Sequence, residues 1–201
     1  MVFLDFDDTL FSQQLFYKWL DEYLQRHDVP LGRFKDTADG FHEVKGRNIR
    51  LYDHRGHFKE LTGREWAFLS AEMEEAILER ETDFCFSDTH DFLDKLVAEG
   101  YAPRLLTYGD PAFQYFKINT CTRLKKLNLP KHIVLEPKAQ FLAREYGQGS
   151  GVLIDDKGPL DLPANWTHLW LRRHEDGAAR RVGNEVYFHR LEQFDDTITK
   201  T

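Results

Sequence analysis

Two aspartates follow directly on an apolar run at the start of the chain. The run Val2 to Leu4 is followed by Asp5, and Asp7 stands two positions later, before Thr9. A short apolar run of this kind indicates a buried strand, and strand alternation would place both carboxylates on the same side. Two carboxylates held close together repel, so they need a cation between them or one must keep a proton. An acidic turn between a strand and a helix is the alternative interpretation, because aspartate is common in turns and at helix N-termini.

Three later stretches also place polar side chains where a strand ends or a helix begins. Residues 102–106 indicate a short strand and residues 151–154 an apolar one, and a lysine follows a proline between them, where a helix is expected to begin. Ligands of open α/β sheets bind at the carboxyl ends of the strands, so these polar groups are candidates for one shared site. They are Thr107 with Tyr108 and Gly109, Lys138, and the pair formed by Asp155 and Asp156.

In this order the four stretches resemble the signature motifs of the haloacid dehalogenase (HAD) superfamily. That pattern is Asp-x-Asp-x-Thr, an apolar run ending in Thr or Ser, a lysine, and an apolar run ending in two acids. The resemblance covers essentially the whole chain. It implies an α/β fold with a Rossmann-like parallel sheet and helices on both faces, which the alternation of strand and helix patterns also predicts.

The resemblance further implies two parts. A HAD-like core would comprise residues 1–12 and 86–201, and residues 13–85 would form a small cap inserted between the first and second motifs, lying over the active site. Within the insertion, apolar residues at helical spacing predict one helix soon after residue 13 and another from about Arg64 to Arg80. The stretch 49–61 alternates on both sides of a turn-like segment and predicts a β-hairpin.

Phosphoryl transfer needs a nucleophile, neutralisation of the phosphate oxygens and a proton for the leaving group. By resemblance, Asp5 is the nucleophile that forms an aspartyl-phosphate, and Asp7 is the general acid and base, whose backbone carbonyl also binds metal. The hard-cation rule favours Mg²⁺. Asp155 is the expected third protein ligand and Asp156 ligates through water or orients the other ligands, although the spacing of Asp156 and Asp161 leaves the direct ligand open.

The resemblance implies catalytic and phosphate-binding roles for the polar residues of the middle two motifs. Thr107 would donate its hydroxyl to a phosphate oxygen, with help from the backbone amides of Tyr108 and Gly109. Lys138 would pair with the nucleophile and the phosphate, and it is preferred over the other lysines between motifs two and four because it begins the helix that leads to the last motif. Thr9 is expected to fix the turn after the acids by hydrogen bonding.

One segment of the insertion carries more basic than acidic residues. Arg47 and Arg55 are candidates for contacts with an anionic substrate, and an exposed charged hairpin without such a role is the alternative. His42, His54 and His57 lie in the same part of the insertion, but their spacing matches no metal-ligand motif. We expect them to be solvated or hydrogen-bonded.

Composition narrows the class of protein. With 201 residues, of which 41% are hydrophobic, the chain is long enough for one well-buried core and an elaboration. A net charge of −7 argues against general nucleic-acid binding. No apolar run approaches a membrane span, the N-terminus lacks the pattern of a signal peptide, and two distant cysteines predict neither a zinc site nor a disulfide framework. These features favour a cytoplasmic protein.

Together the motifs predict a Mg²⁺-dependent phosphatase that hydrolyses a small phosphate monoester, such as a nucleotide or sugar phosphate, through an aspartyl-phosphate. The acid at Asp7 favours phosphate chemistry, because dehalogenase members of the superfamily lack it. A phosphotransferase or phosphomutase that uses the same residues is one alternative, and a non-catalytic binding domain is another. The sequence does not identify the substrate, and phosphorylated ends of macromolecules also remain open.

Overall fold

The computed structural model describes residues 1–45, 49–79, 83–173, 175, 177–182 and 185–194. The strands are β1 (Val2–Leu4), β2 (His42–Lys45), β3 (Ile49–Tyr52), β4 (Pro103–Tyr108), β5 (Lys131–Val134), β6 (Gly151–Asp155), β7 (Trp166–Leu171), β8 (Arg180–Val182) and β9 (Glu185–Phe188). The α-helices are α1 (Gln13–Leu24), α2 (Arg33–Ala38), α3 (His54–Thr62), α4 (Trp66–Leu78), α5 (Thr89–Ala98), α6 (Pro111–Asn119), α7 (Thr122–Leu127) and α8 (Lys138–Tyr146). None of the described helices is long and apolar enough to cross a membrane.

The chain divides into two compact units. The first comprises Met1–Ser12, Cys85–Tyr108 and Lys126–Thr201, and the second comprises Gln13–Phe84 and Gly109–Lys125. The second unit therefore contains a stretch of helices, from residue 109 to residue 125, that the sequence-based division had assigned to the core.

A seven-stranded sheet forms the first unit, in the order β5-β4-β1-β6-β7-β9-β8. All neighbouring strands are parallel except β8 and β9, which are antiparallel. The first strand, β1, lies between β4 and β6, and its three residues are apolar and buried, as is typical of a central strand in a parallel sheet whose two faces are both covered. The α/β fold with a mainly parallel sheet that the sequence predicted is thus confirmed.

Helix α8 packs on the sheet through an apolar cluster. Phe141 and Leu142 of the helix are buried against Phe3 of the central strand and Trp166 of β7, among other core residues. The rings of Phe3 and Trp166 have centroids 5.6 Å apart. Burying apolar surface stabilises the fold by about 25 cal/mol per Å², so this cluster anchors the helix that begins at the predicted catalytic lysine.

The predicted hairpin at residues 49–61 is wrong in its second half. Strand β3 is present, but it pairs with the preceding strand β2, and residues 54–62 form helix α3. The Asp53 side chain caps this helix by accepting a hydrogen bond from the Gly56 backbone, and Gly63 ends it with φ of 69°. The alternation in this stretch indicates a strand, but the stretch also has one face of residues at helical spacing, and in α3 that face is buried. Its buried residues are His54, His57 and Phe58.

Helix α6 explains why residues after the second motif cluster with the insertion. Asp110 caps the helix by accepting a hydrogen bond from the backbone N–H of Phe113. The Phe113 ring stacks on the His54 ring with centroids 5.2 Å apart. One turn later, Phe116 meets the Trp66 ring edge-on at 5.2 Å. Aromatic contacts of this kind tie α6 to α3 and α4 within the second unit.

Candidate active site

Two of the predicted acids lie side by side because their strands are adjacent and in register. In the pairing of β1 with β6, Leu4 is opposite Ile154, so the next residues are Asp5 and Asp155. The backbone N–H of Asp5 donates to the Ile154 carbonyl at 2.8 Å, which extends the ladder to the acid itself. Both side chains are almost fully buried, with 3% and 1% of their surface exposed.

Lys138 bridges these two carboxylates. Its ammonium lies 2.5 Å from Asp5 Oδ1 and 2.6 Å from Asp155 Oδ2. The residue begins helix α8, so the packing of that helix on the sheet sets the position of its side chain. Burial alone would lower the pKa of Lys138, but the two carboxylates outweigh it and hold the pKa above its ordinary value. The lysine is therefore a permanent cation in this site.

A third carboxyl group completes an acidic cluster. Oxygens of Asp5, Asp155 and Asp156 all lie within 4.8 Å of one another. Burial raises the pKa of Asp5 well above its ordinary value, and although Lys138 opposes this, the two neighbouring acids add to it. Burial and the charge of Asp155 likewise raise the pKa of Asp156, whose side chain is hydrogen-bonded to Asp5. Two carboxyl groups can share such a bond only if one of them holds a proton.

The cluster suits a divalent cation. Three carboxylates face one ammonium, so the fully ionised cluster would carry two uncompensated negative charges. The Oδ1 atom of Asp156 is buried and has no hydrogen-bond partner among the residues that the structure describes. An uncompensated buried charge is costly, and a hard cation with oxygen ligands removes that cost. Asp161, the alternative ligand, is exposed and is not part of the cluster.

A pocket of about 220 Å³ opens at this edge of the sheet. Six predicted residues line it, namely Asp5, Asp7, Thr107, Tyr108, Lys138 and Asp155. Thr107 is 1% exposed and lies one residue before the end of β4, the strand that pairs with β1. The structure therefore brings together residues from all four motifs. It leaves the roles of these residues as predictions.

Three further predicted substrate-binding residues belong to the second unit or fall outside the described part of the chain. Gly109 belongs to the second unit, where its φ of 144° and the close approach of the Gln114 side chain require glycine. Arg55 is exposed at the second position of helix α3. Arg47 lies outside the described residues. A role for these residues in substrate binding stays a prediction.

The loop after the first motif is held by a residue that the sequence did not single out. The Thr9 hydroxyl is buried but has no hydrogen-bond partner in the described part of the chain, so the expectation that it fixes the turn is wrong. The guanidinium of Arg173 instead donates to the Thr9 backbone carbonyl, with Nε at 3.0 Å. It also pairs with Asp88, which accepts a bond from the Leu191 backbone. The turn is thus held from distant parts of the chain.

Four further residues of the pocket lining were also missed. Among them, only Lys157 could have been recognised in the sequence, because it is a cation that directly follows the acid pair. The others are uncharged, and neither a residue in the first turn of α8 nor residues in the segments between elements are marked as pocket-lining by their side-chain type. The four are Pro137, Ala139, Lys157 and Leu160.

Solved structures with a similar fold have been found in three bacteria. A protein assigned as a haloacid dehalogenase-like hydrolase from Burkholderia xenovorans matches with a TM-score of 0.64 and 17% identity, over 99% of this chain and 96% of that one. A haloacid dehalogenase-like family hydrolase from Xanthomonas campestris has a TM-score of 0.57 and 17% identity, over 99% and 94%. A HAD-hydrolase from Bacillus subtilis, bound to magnesium, has a TM-score of 0.59 and 14% identity, over 98% and 97%.

No family model matches the sequence, and no curated protein matches it. At these levels of identity the solved structures establish the fold. The four motifs, read in order, had predicted the same fold from the residues at its strand ends. The chain therefore has the fold of the haloacid dehalogenase-like hydrolases.

Proposed function

We propose that the protein is a Mg²⁺-dependent hydrolase of small phosphate monoesters that works through an aspartyl-phosphate on Asp5. The bridge from Lys138 to Asp5 and Asp155 at the base of the pocket carries this proposal. It combines a buried carboxylate, a permanent cation and further acids at one strand edge, which is the set of groups that phosphoryl transfer requires.

Asp5 would act as the nucleophile. Its carboxylate is at the end of the central strand and lines the pocket, and a backbone hydrogen bond to Ile154 holds its main chain. One carboxylate oxygen would attack phosphorus as the bond to the leaving oxygen breaks, and water would then hydrolyse the aspartyl-phosphate. The ammonium of Lys138 would neutralise charge on Asp5 and on the phosphoryl oxygens during both steps.

The acid cluster would hold the metal ion. Asp5 and Asp155 would contribute carboxylate oxygens, and the unpartnered oxygen of Asp156 would bind directly or through water. When bound, Mg²⁺ would supply positive charge to the phosphoryl oxygens and balance the excess of carboxylates. The similar fold of a magnesium-bound hydrolase supports this assignment.

Asp7 would move the protons. It lines the same pocket two residues after the nucleophile. In its protonated form it would donate to the leaving oxygen, and the resulting carboxylate would then accept a proton from the attacking water. The hydroxyl of Thr107 would donate to a phosphoryl oxygen. Each group thus has one task in the two half-reactions.

Chemical trapping tests the covalent step. Asp7→Asn is mixed with an activated aryl phosphate and Mg²⁺, then quenched with borohydride, which reduces an aspartyl-phosphate to homoserine. We expect peptide mass spectrometry to find homoserine at position 5, because the variant still forms the intermediate but hydrolyses it slowly. The control Asp5→Asn should show none. Turnover by the wild type without any modification at position 5 would contradict covalent catalysis.

Phosphate release separates the proposed function from its alternatives. A hydrolase releases phosphate from monoesters with no acceptor present, whereas a phosphotransferase or phosphomutase needs an acceptor hydroxyl. A binding domain would show no turnover of any monoester with Mg²⁺ present. A screen of nucleotide, sugar and small-acid phosphates at fixed Mg²⁺ therefore decides among the three.

A further inference from the structure

One wall of the active-site pocket lies outside the acid cluster and carries a different chemistry. It is formed by Tyr108, Pro137, Ala139 and Leu160, together with a second lysine, Lys157. An apolar surface with a small number of placed polar groups is the usual make-up of a site that recognises part of a ligand. This wall is available to the leaving group, because the phosphoryl group must lie at the carboxylates.

Hydrogen bonds and a close ring contact hold the main chain before and after Lys157. Its backbone N–H donates to Asp155 Oδ1 at 2.8 Å. The indole N–H of Trp170 donates to the carbonyl of the preceding residue, Asp156, at 2.8 Å. The following residue, Gly158, lies so close to the Trp170 ring that an added Cβ would be 2.6 Å from it. The main chain on either side of the lysine is therefore held in place.

The two lysines of the pocket differ in how their charge is used. The Lys138 ammonium is taken up by two carboxylates. The Lys157 ammonium has no ion pair or side-chain hydrogen bond to any residue that the structure describes. Its charge opposes the rise that burial produces in the pKa of the Tyr108 hydroxyl and in the pKa of the Asp156 carboxyl. A pocket cation without an ion pair to the described residues is suited to bind an anion.

We propose that Lys157 binds a second anionic group, carried by the leaving group of the substrate. The preferred substrates would be small phosphate monoesters with a carboxylate or a second phosphate, separated from the reacting phosphate by an apolar segment that contacts Leu160 and Tyr108. This inference rests on the proposed function, because it assigns the reacting phosphate to the acid cluster.

Matched substrates test the subsite. Phenyl phosphate has a neutral leaving group, whereas 4-carboxyphenyl phosphate and 1,4-phenylene bisphosphate add a carboxylate or a phosphate to the same ring. We expect Lys157→Ala to lower kcat/KM for the two anionic substrates by about tenfold to a hundredfold, the range of a charge-assisted hydrogen bond, and for phenyl phosphate by less than about threefold. Lys157→Arg should restore most of the loss, and the exposed control Lys126→Ala should have no effect.

The three substrates also identify the anion. A loss confined to the carboxylate or to the bisphosphate would show which group the subsite accepts. An equal loss on all three substrates would mean that Lys157 contacts the transferred phosphoryl group, and no loss on any would mean that it is only solvated. Either result would overturn the proposal.

Equilibrium binding separates this proposal from the proposed function. Phenylphosphonate and 4-carboxyphenylphosphonate cannot be hydrolysed, so calorimetric titration with Mg²⁺ present reads the subsite without turnover. Tighter binding of the carboxylated compound to the wild type, lost in Lys157→Ala, would support the subsite even if no ester were hydrolysed. Equal binding of both compounds to the wild type would refute it even if the enzyme proved to be an active phosphatase.

Discussion

At the scale of single residues, the candidate active site is a largely buried cluster of opposite charges. Three carboxyl groups share one ammonium, and the raised pKa values of Asp5 and Asp156 show that burial disfavours full ionisation of the cluster. A cation bound at these carboxylates would favour their ionised forms and so would oppose this rise in pKa. A nucleophile in this position depends on Lys138 and on the metal to be ionised when substrate arrives.

The role of Asp7 can be measured by varying the leaving group. Asp7→Asn keeps the size of the side chain but cannot donate an acidic proton, so leaving-group departure should slow. We expect kcat to fall by about 10²- to 10⁴-fold for alkyl phosphates, the usual contribution of a general acid, and by much less for an activated aryl phosphate in its first, pre-steady-state turnover. Equal losses for both leaving groups in that turnover would show that Asp7 acts only on metal or structure.

Sequence reasoning located the residues whose position follows from strand register. Asp5 and Asp155 meet because parallel strands end at one edge of a sheet, and a motif at each strand end is visible in the sequence. Arg173 could not be found in this way. It lies 164 positions from Thr9, in a charged stretch with no periodicity, and only the folded chain brings the two together.

At the scale of elements, the turn after β1 depends on the segment that follows β7. The Arg173 guanidinium donates to the Thr9 carbonyl and to the Asp88 carboxylate, and Asp88 also accepts a hydrogen bond from the backbone N–H of Leu191. The backbone of Asp8 has a φ of 55°. This left-handed conformation is uncommon in residues other than glycine and has to be stabilised by the surrounding structure. The guanidinium supplies a hydrogen-bonded contact next to this position.

Arg173 should act as a positioning residue. We expect Arg173→Gln to lower kcat by about tenfold to a hundredfold, because small displacements of a nucleophile are costly, while KM changes little and the circular dichroism spectrum remains native. Arg173→Lys should recover part of the loss. The exposed Arg144→Gln, which removes the same charge, is the control. A change in KM alone, or normal kcat in a folded Arg173→Gln, would argue against this role.

Helix α3 shows where sequence reasoning at the level of elements fails. Its residues alternate well enough to suggest a strand, yet the Asp53 cap and the Gly63 stop select a helix. The sequence predicted β1, β4 and β6 because each is a short, mostly apolar run that is largely buried, whereas β8 is a charged and exposed strand that no such pattern indicates. In the insertion, burial comes from packing between aromatic side chains, and a local pattern does not encode those partners.

His57 in helix α3 makes the second unit sensitive to acid. Its ring stacks on Phe41, with centroids 4.4 Å apart, and its nitrogens are hydrogen-bonded to the hydroxyls of Thr37 and Tyr52. Burial lowers its pKa from 6.5 to about 4. The unfolded chain therefore binds a proton at this residue at a higher pH than the folded one. The contribution of His57 to the free energy of unfolding is thus constant above pH 6.5 and falls as the pH drops from 6.5 to 4.

Urea unfolding measured across this window tests the prediction. The loss assigned to His57 is at most about 3 kcal/mol, and His57→Gln should show a shallower decline because one titrating group is gone. The buried His54, whose pKa is likewise lowered to about 4, should maintain part of the slope. An identical pH dependence in the variant and the wild type would exclude His57 as the source.

At the scale of the whole molecule, the proposed metal site would link function to stability. The chain carries a net charge of −7, and the first unit concentrates three acids beside one lysine at the centre of its sheet. Binding of a cation to the folded state alone raises the free energy of unfolding by about 2.7 kcal/mol when its concentration is 100 times Kd. For a chain of this length that corresponds to a rise in Tm of about 5 to 10 °C.

Replacing Asp156 should reverse the order of stability with and without metal. In EDTA, Asp156→Asn should be at least as stable as the wild type, because it removes a buried carboxyl group with an unpartnered oxygen from an acidic cluster. In Mg²⁺, the wild type should gain Tm while the variant gains little, since a ligand has been lost. Asp161→Asn, an exposed change of the same type, should behave like the wild type in both conditions.

Thermal unfolding of the three proteins in EDTA and in Mg²⁺ measures this reversal in the order of Tm values. An equal Mg²⁺ gain in Asp156→Asn, with the gain lost in Asp161→Asn, would move the ligand to Asp161, and no gain in any of the proteins would argue against a magnesium site at the end of β6.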